Sequence, residues 1–393
     1  MSASSGMDTA TMERIRGDFP GLERFIYLNT GTYGLMPEPA VETLLHATAT
    51  LEREGVACGM DFAADAERCR HAIGDMIGGE AADIALTRNA TDGINLALAG
   101  LDWSDGDQVL TTDEEHEASL HPLLHLQATR GITVTRLPCS DDPQTMLDRL
   151  NGAGSRQLRL LVTSHVTCET GTRLPVAEMC AWARNRGVLS LVDAAHTCGV
   201  LPVDVRAIGC DFMAGNGHKW LHGPKGTGWF WSSAESRDRL IVRMVGAGSL
   251  QAANPATGQA DLHPTAQRFE YGSRSWALAT GWKASMDYLS GIGYDRIRRH
   301  SERLVDELFD ALSSMKGARA LTPRSPQGRA GLICFTFDGH DATDVCRNLR
   351  ERYRIHTRLV PARNGVRVSA ALYNTSEHIA AFAASVDQHL SGL

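Results

Sequence analysis

The chain has 393 residues, 43% of them hydrophobic and 22% charged, with a formal net charge of −7. Its length exceeds one typical core and predicts a large domain with a smaller one, while the ordinary composition excludes disordered and fibrous classes. The mild acidity gives no reason to expect nucleic acid or an anionic membrane as partner, so anionic ligands would need a local positive site.

Residues 1–22 read as a small, polar tail followed by a faintly helical arm, with no apolar core of signal-peptide length. No later stretch approaches a membrane span. Nine cysteines (Cys58, Cys69, Cys139, Cys168, Cys180, Cys198, Cys210, Cys334 and Cys346) are odd in number and never spaced CxxC. Reduced, mainly buried thiols in a cytoplasmic protein are expected, not a disulfide framework or a zinc site. A short strand at 25–28 leads into the glycine-punctuated turn 29–34, and helices are predicted over 39–55 and 66–77.

The strand 84–86 feeds Thr87-Arg88-Asn89-Ala90-Thr91-Asp92-Gly93 and then a helix. Free N–H groups at such a helix start can hold an anion, although a plain N-cap by Asn89 or Thr91 is equally well written. Strands at 108–110, 132–135, 158–162 and 188–192, with a helix at 176–186, predict a mainly parallel sheet covered on both faces. A strand at 227–231 is expected to run antiparallel, and 246–265 to form a loop over the site. Helices at 276–289 and 294–314 precede a strand at 332–337, a helix at 342–352, a strand at 366–369 and a helix at 376–390. The predicted organisation is an arm (1–22), a large domain (23–260) and a smaller α+β C-terminal domain (261–393).

Residues 191–225 organise the rest. Leu191-Val192 run into Asp193, and Asp211-Phe212-Met213-Ala214 leads to Asn216-Gly217-His218-Lys219. An acid and a lysine after neighbouring buried strands would share the crevice where open α/β sheets bind ligands. Alone, Asp193 reads as an N-cap and Lys219 as a surface residue lying on Trp220. Together they meet two needs of pyridoxal phosphate: an amine to bond its aldehyde and an acid to keep its ring nitrogen protonated.

The series Asp193, His196, Asn-Gly-His-Lys at 216–219 and Gly-Pro-Lys-Gly-Thr-Gly at 223–228 resembles the cofactor-lysine region of the class V aminotransferase family. That family includes cysteine desulfurases, isopenicillin N epimerase-like proteins, kynureninases and the ergothioneine C–S lyase. YLNTGTYG from Tyr27, SHVTCETGT from Ser164, VDAAHT from Val192 and VRVSAALYNT from Val366 place the resemblance nearest the epimerase and C–S lyase branch. It implies the fold type I architecture of pyridoxal phosphate enzymes, with a seven-stranded sheet, and no metal.

By resemblance, Lys219 carries the cofactor and moves the substrate's α-proton, Asp193 faces the ring nitrogen, His116 stacks on the ring and His196 lies near its hydroxyl. Ala90, Thr91, Asn216 and His218 fall where the phosphate is held. Ser273 matches a residue that reaches the phosphate from the other subunit of a homodimer. Arg367 matches the arginine that forks onto the substrate α-carboxylate, the chemistry a planar bidentate donor suits, and Asn29 is placed with it on the substrate side.

Cys168 stands where many desulfurases carry an asparagine, and RLVPARNGVR from Arg358 lacks the cysteine that desulfurases place before the carboxylate arginine. Persulfide transfer is therefore disfavoured. The expectation is β-elimination from an S-substituted cysteine or its sulfoxide, with epimerisation, transamination and decarboxylating or oxidative deamination as alternatives. A scaffold that keeps only the fold predicts erosion of Lys219 or Asp193, and both are present. Gly246-Ala247-Gly248 lacks the context of a dinucleotide fingerprint, Gly223–Thr227 lacks P-loop spacing, and His116, His121 and His125 lack the spacing of a metal site.

Overall fold

Strands such as Leu189–Asp193 and Gly228–Ser232 are buried at every position, as only a sheet covered on both faces allows. The computed structural model describes residues 7–392, so the first six residues of the tail and arm expected over 1–22 lie outside the described residues. Among the described residues, seven strands form one sheet in the order Ile84–Thr87, Gly228–Ser232, Phe212–Asn216, Leu189–Asp193, Leu158–Ser164, Gln108–Thr112, Thr133–Leu137. Gly228–Ser232 runs antiparallel to both neighbours, and the other pairings are parallel. This is the α/β architecture expected from the alternation of strands and helices. Leu158–Ser164, Leu189–Asp193 and Phe212–Asn216 release Ser164, Asp193 and Asn216 at one edge of the sheet, which fixes where a ligand crevice can open.

A second core covers a four-stranded antiparallel sheet in the order Ala318–Ala320, Leu332–Phe337, Gly365–Ser369, Arg358–Val360. The helices Tyr294–Ser313, Ala342–Tyr353 and Ser376–Leu390 bury their apolar faces on it. Helix Ala277–Ile292 packs instead against Glu38–Glu54 and Phe62–Ile77. The N-terminal segment ties the two cores together. Ile26–Tyr27 pairs with Ile355–His356, and Asn29 bridges to Ser369. In the arm, Ile15 and Phe19 are buried in the main core, and Arg16 Nη1 lies 3.0 Å from His378 Nε2 in the last helix.

Several stretches depart from the sequence reading, among them the unpredicted helix Pro143–Ala153 and the two that follow. Residues 246–265 are not a plain loop: Leu250–Asn254 and Gln259–Leu262 pair as an antiparallel hairpin. Most of its side chains are exposed on both faces, so no apolar alternation marks it. The helix Glu117–Arg130 was not read either. It carries Pro122 in its interior and buries only Ala118, Ser119 and Leu123, so neither a stripe nor a clean start betrays it.

Candidate active site

The crevice at the sheet edge opens into a cavity of about 540 Å³ whose walls come from both cores. The turn 216–219 follows the strand Phe212–Asn216 and drives Lys219 inward. Gly34 donates its N–H to the His218 carbonyl at 2.7 Å, and a Cβ on Gly34 would collide with the Lys219 carbonyl oxygen. This close backbone approach requires glycine. Lys219 is only 8% exposed, and burial lowers its amine to about 8 while Asp193 pulls the other way. Near neutral pH such a lysine reaches its nucleophilic free-base form far more readily than one on the surface.

Asp193 ends its strand buried, and its Oδ1 accepts the Ala195 N–H at 2.8 Å. The same carboxylate lines the cavity. His196, one turn on, places Nε2 3.1 Å from Lys219 Nζ, while Trp220 Nε1–H donates to its Nδ1 at 3.3 Å. Burial, then Lys219 and Arg367, hold His196 well below the usual histidine range. With Nδ1 accepting from Trp220, the neutral ring carries its proton on Nε2, aimed at the lysine amine.

At the other end of the cavity, Asn89 caps the helix Ala90–Gly100 by accepting from Asp92 N, so the N-cap is Asn89 and not Thr91. Asn216 Oδ1 accepts the Ala90 N–H at 2.9 Å and docks this helix start onto the sheet edge. Thr91, His218 and His116 line the wall beside it. Burial and then Lys219 lower His218 to about 4, and its buried Nδ1 has no partner. His116 both caps its helix and faces the cavity: Nδ1 accepts from Ala118 N at 3.0 Å, which leaves the proton of the neutral ring on Nε2.

Arg367 enters from the small sheet. Its Nη1 donates to the Cys168 carbonyl at 2.6 Å and its Nη2 to Thr32 Oγ1 at 2.9 Å, while its buried Nε has no partner. Burial lowers it to about 10, and its acceptors are uncharged. Asn29 does not line the cavity. Its Oδ1 accepts from Thr32 Oγ1, so it acts on Arg367 at one remove. Ser273 is exposed and lies outside this cavity, in a neighbouring one that shares Arg88 and Gly226. It does not cap the helix Ala277–Ile292, whose start has no side-chain cap.

The family model for Aminotransferase class-V matches residues 36–382. The chain belongs to the class-V aminotransferases. A probable cysteine desulfurase of Methanothermobacter thermautotrophicus is 30% identical, across 93% of this chain and 95% of the relative. An isopenicillin N epimerase of Streptomyces clavuligerus is 31% identical, across 97% and 99%. Among solved structures, the cystine C–S lyase C-DES in complex with cysteine persulfide superposes with a TM-score of 0.87 at 26% identity, covering 94% of this chain and 99% of that one. This class-V chain is a pyridoxal 5′-phosphate enzyme that acts on amino acids.

The residues present fit that cofactor. Asp193 can face a protonated ring nitrogen, Lys219 can bond the aldehyde, and His116 can cover one ring face. The helix start at Ala90 and Thr91, with His218 in the same cavity lining, suits a phosphate. Sequence reasoning missed three lining or supporting residues. Glu115 is buried and raised to about 7 by burial, and it accepts from Ser164 and Thr112. In the sequence Trp220 reads only as a surface for a lysine stem, and Arg358 only as the start of the stretch that lacks a cysteine. Nothing local in the sequence marks any of them.

Proposed function

We propose that this enzyme is a C–S lyase that releases the sulfur substituent from an S-substituted cysteine or its sulfoxide. With one water, an S-substituted cysteine yields a thiol, pyruvate and ammonium; the sulfoxide yields a sulfenic acid in place of the thiol. The observation that carries this reading is the absence of a sulfur-accepting thiolate in the cavity. Among the described residues, Cys168 is the one cysteine in the lining, and burial raises its thiol to about 12. Cys334 is likewise raised to about 12 in a buried strand, and Cys346 is raised by burial in a helix. A sulfur with no acceptor leaves with its own substituent.

Lys219 would hold the cofactor through its amine, and that amine, lowered to about 8 by burial, is a base suited to the Cα proton. The cofactor supplies the electron sink for the charge left on Cα. Asp193 would keep the ring nitrogen protonated and His116 would cover a ring face, while His196 holds Nε2 3.1 Å from the Lys219 amine. Ala90, Thr91, Asn216 and His218 form the phosphate end. Arg367 takes the α-carboxylate through the face that now has only neutral acceptors and a free Nε, with Asn29 and Thr32 setting its angle. A homodimer is part of the proposal, with Ser273 turned outward toward the partner's phosphate site. So is a cytoplasmic setting, in keeping with nine free cysteines. Size-exclusion chromatography with light scattering checks the dimer, and a monomer of full activity would refute it.

Pyruvate release from a panel of S-substituted cysteines tests the reaction. The 31% identity to an isopenicillin N epimerase favours α-proton inversion as the second reading. Solvent deuterium entering Cα of recovered substrate, with no pyruvate, would establish that alternative instead.

A further inference from the structure

The small sheet puts two arginines side by side. Arg358 and Arg367 are direct cross-strand partners of the antiparallel pair Arg358–Val360 and Gly365–Ser369. Directly opposed residues project from the same face, and both line the cavity. Like charges opposed in this way repel: after burial, Arg358 is the next influence that lowers Arg367. Elsewhere around the cavity the chain neutralises its arginines. Arg88 pairs with Asp92 at 2.9 Å, and Arg363 reaches Glu169 at 3.0 Å and Glu114 at 3.3 Å. Among the described residues the Arg358 guanidinium is exposed and has neither an ion pair nor a side-chain hydrogen bond.

One α-carboxylate can satisfy Arg367, whose free Nε and neutral acceptors are suited to it. It leaves the second guanidinium without a counter-charge. We infer that Arg358 forms a subsite for a second carboxylate, carried on the sulfur substituent of the substrate. The inference rests on reading the cavity as the amino-acid site. It names the substrate class: cysteine conjugates whose departing group is itself an acid. Val360 and Pro361 also line the cavity and give the carbon chain of that substituent an apolar surface.

The test titrates holoenzyme with S-(carboxymethyl)cysteine and with its uncharged carboxamide analogue. Binding is followed by the visible spectrum of the bound cofactor, a readout that does not need turnover. A charge-assisted contact of this kind predicts about tenfold tighter binding of the acid. Arg358→Gln should remove that preference while leaving the amide's affinity within about twofold, and Arg358→Lys should restore part of it. Equal affinity for acid and amide in the unaltered enzyme overturns the subsite, as does an Arg358→Gln loss shared equally by both ligands or a spectrum that neither ligand perturbs. The comparison in unaltered enzyme stands even if a variant fails to fold. Charge selectivity without pyruvate would retain the subsite and sink the elimination reading. Pyruvate without charge selectivity would do the reverse.

Discussion

The two ends of the cavity are built on opposite electrostatic plans. At the large-domain end most polar groups are held by the chain itself: Asp193 by Ala195 N–H, His116 by Ala118 N–H, Glu115 by Ser164 and Thr112, and His196 by Trp220. At the small-domain end Arg367 has only uncharged acceptors and Arg358 has no side-chain partner among the described residues. One end is organised before any ligand arrives, as a permanently held cofactor requires. The other leaves positive charge uncompensated, so that an anionic amino acid completes it and is selected by doing so.

Substitutions at the organised end should damage the chemistry most. Asp193→Asn removes the counter-charge proposed for the ring nitrogen, and turnover should fall on the order of 10²- to 10³-fold. Steady-state kinetics with cofactor occupancy measured in parallel would show this; a fall that merely tracks lost cofactor would erase the distinction between the ends. Arg367→Gln acts at the open end and should raise KM roughly 10- to 100-fold while changing kcat less. An equal fall in kcat and kcat/KM would move Arg367 from holding substrate to stabilising the transition state.

Smaller effects sharpen the picture. Trp220→Phe keeps the ring but removes the N–H that fixes the His196 tautomer, and should cost about two- to tenfold in turnover with a shifted pH profile. An unchanged profile would reduce Trp220 to packing. For Lys219, the folded apoprotein titrates near 8 against 10.5 for an unperturbed lysine. The rate of cofactor capture by apoprotein should therefore rise with pH to about 8 and then level off. Between about 8 and 10.5 the unfolded chain binds more protons at this site, so apoprotein stability should rise with pH across that window. Stopped-flow reconstitution and denaturant titrations read these two trends, and a flat response in both would mean that the amine is not desolvated.

Much of the organised end is legible in the sequence because it sits where buried strands stop. Leu191-Val192 running into Asp193, and Phe212–Asn216 running into His218-Lys219, announce a sheet edge through a change from apolar to polar. The open end is less legible. Arg358 gains meaning only from its register opposite Arg367, and register follows from how the small sheet assembles, not from any local pattern. The hairpin at 250–262 was missed because both of its faces are wet, and the helix Glu117–Arg130 because Pro122 interrupts it and little of it is buried.

The central claim is that Lys219, driven inward by the turn that Gly34 closes, is the covalent seat of the cofactor. Borohydride reduction of the holoenzyme, followed by proteolysis and mass spectrometry of the peptides, tests it most directly. The account predicts a phosphopyridoxyl group on Lys219 alone. A label on Lys225, the other lysine lining the cavity among the described residues, or no stable label at all, would contradict it.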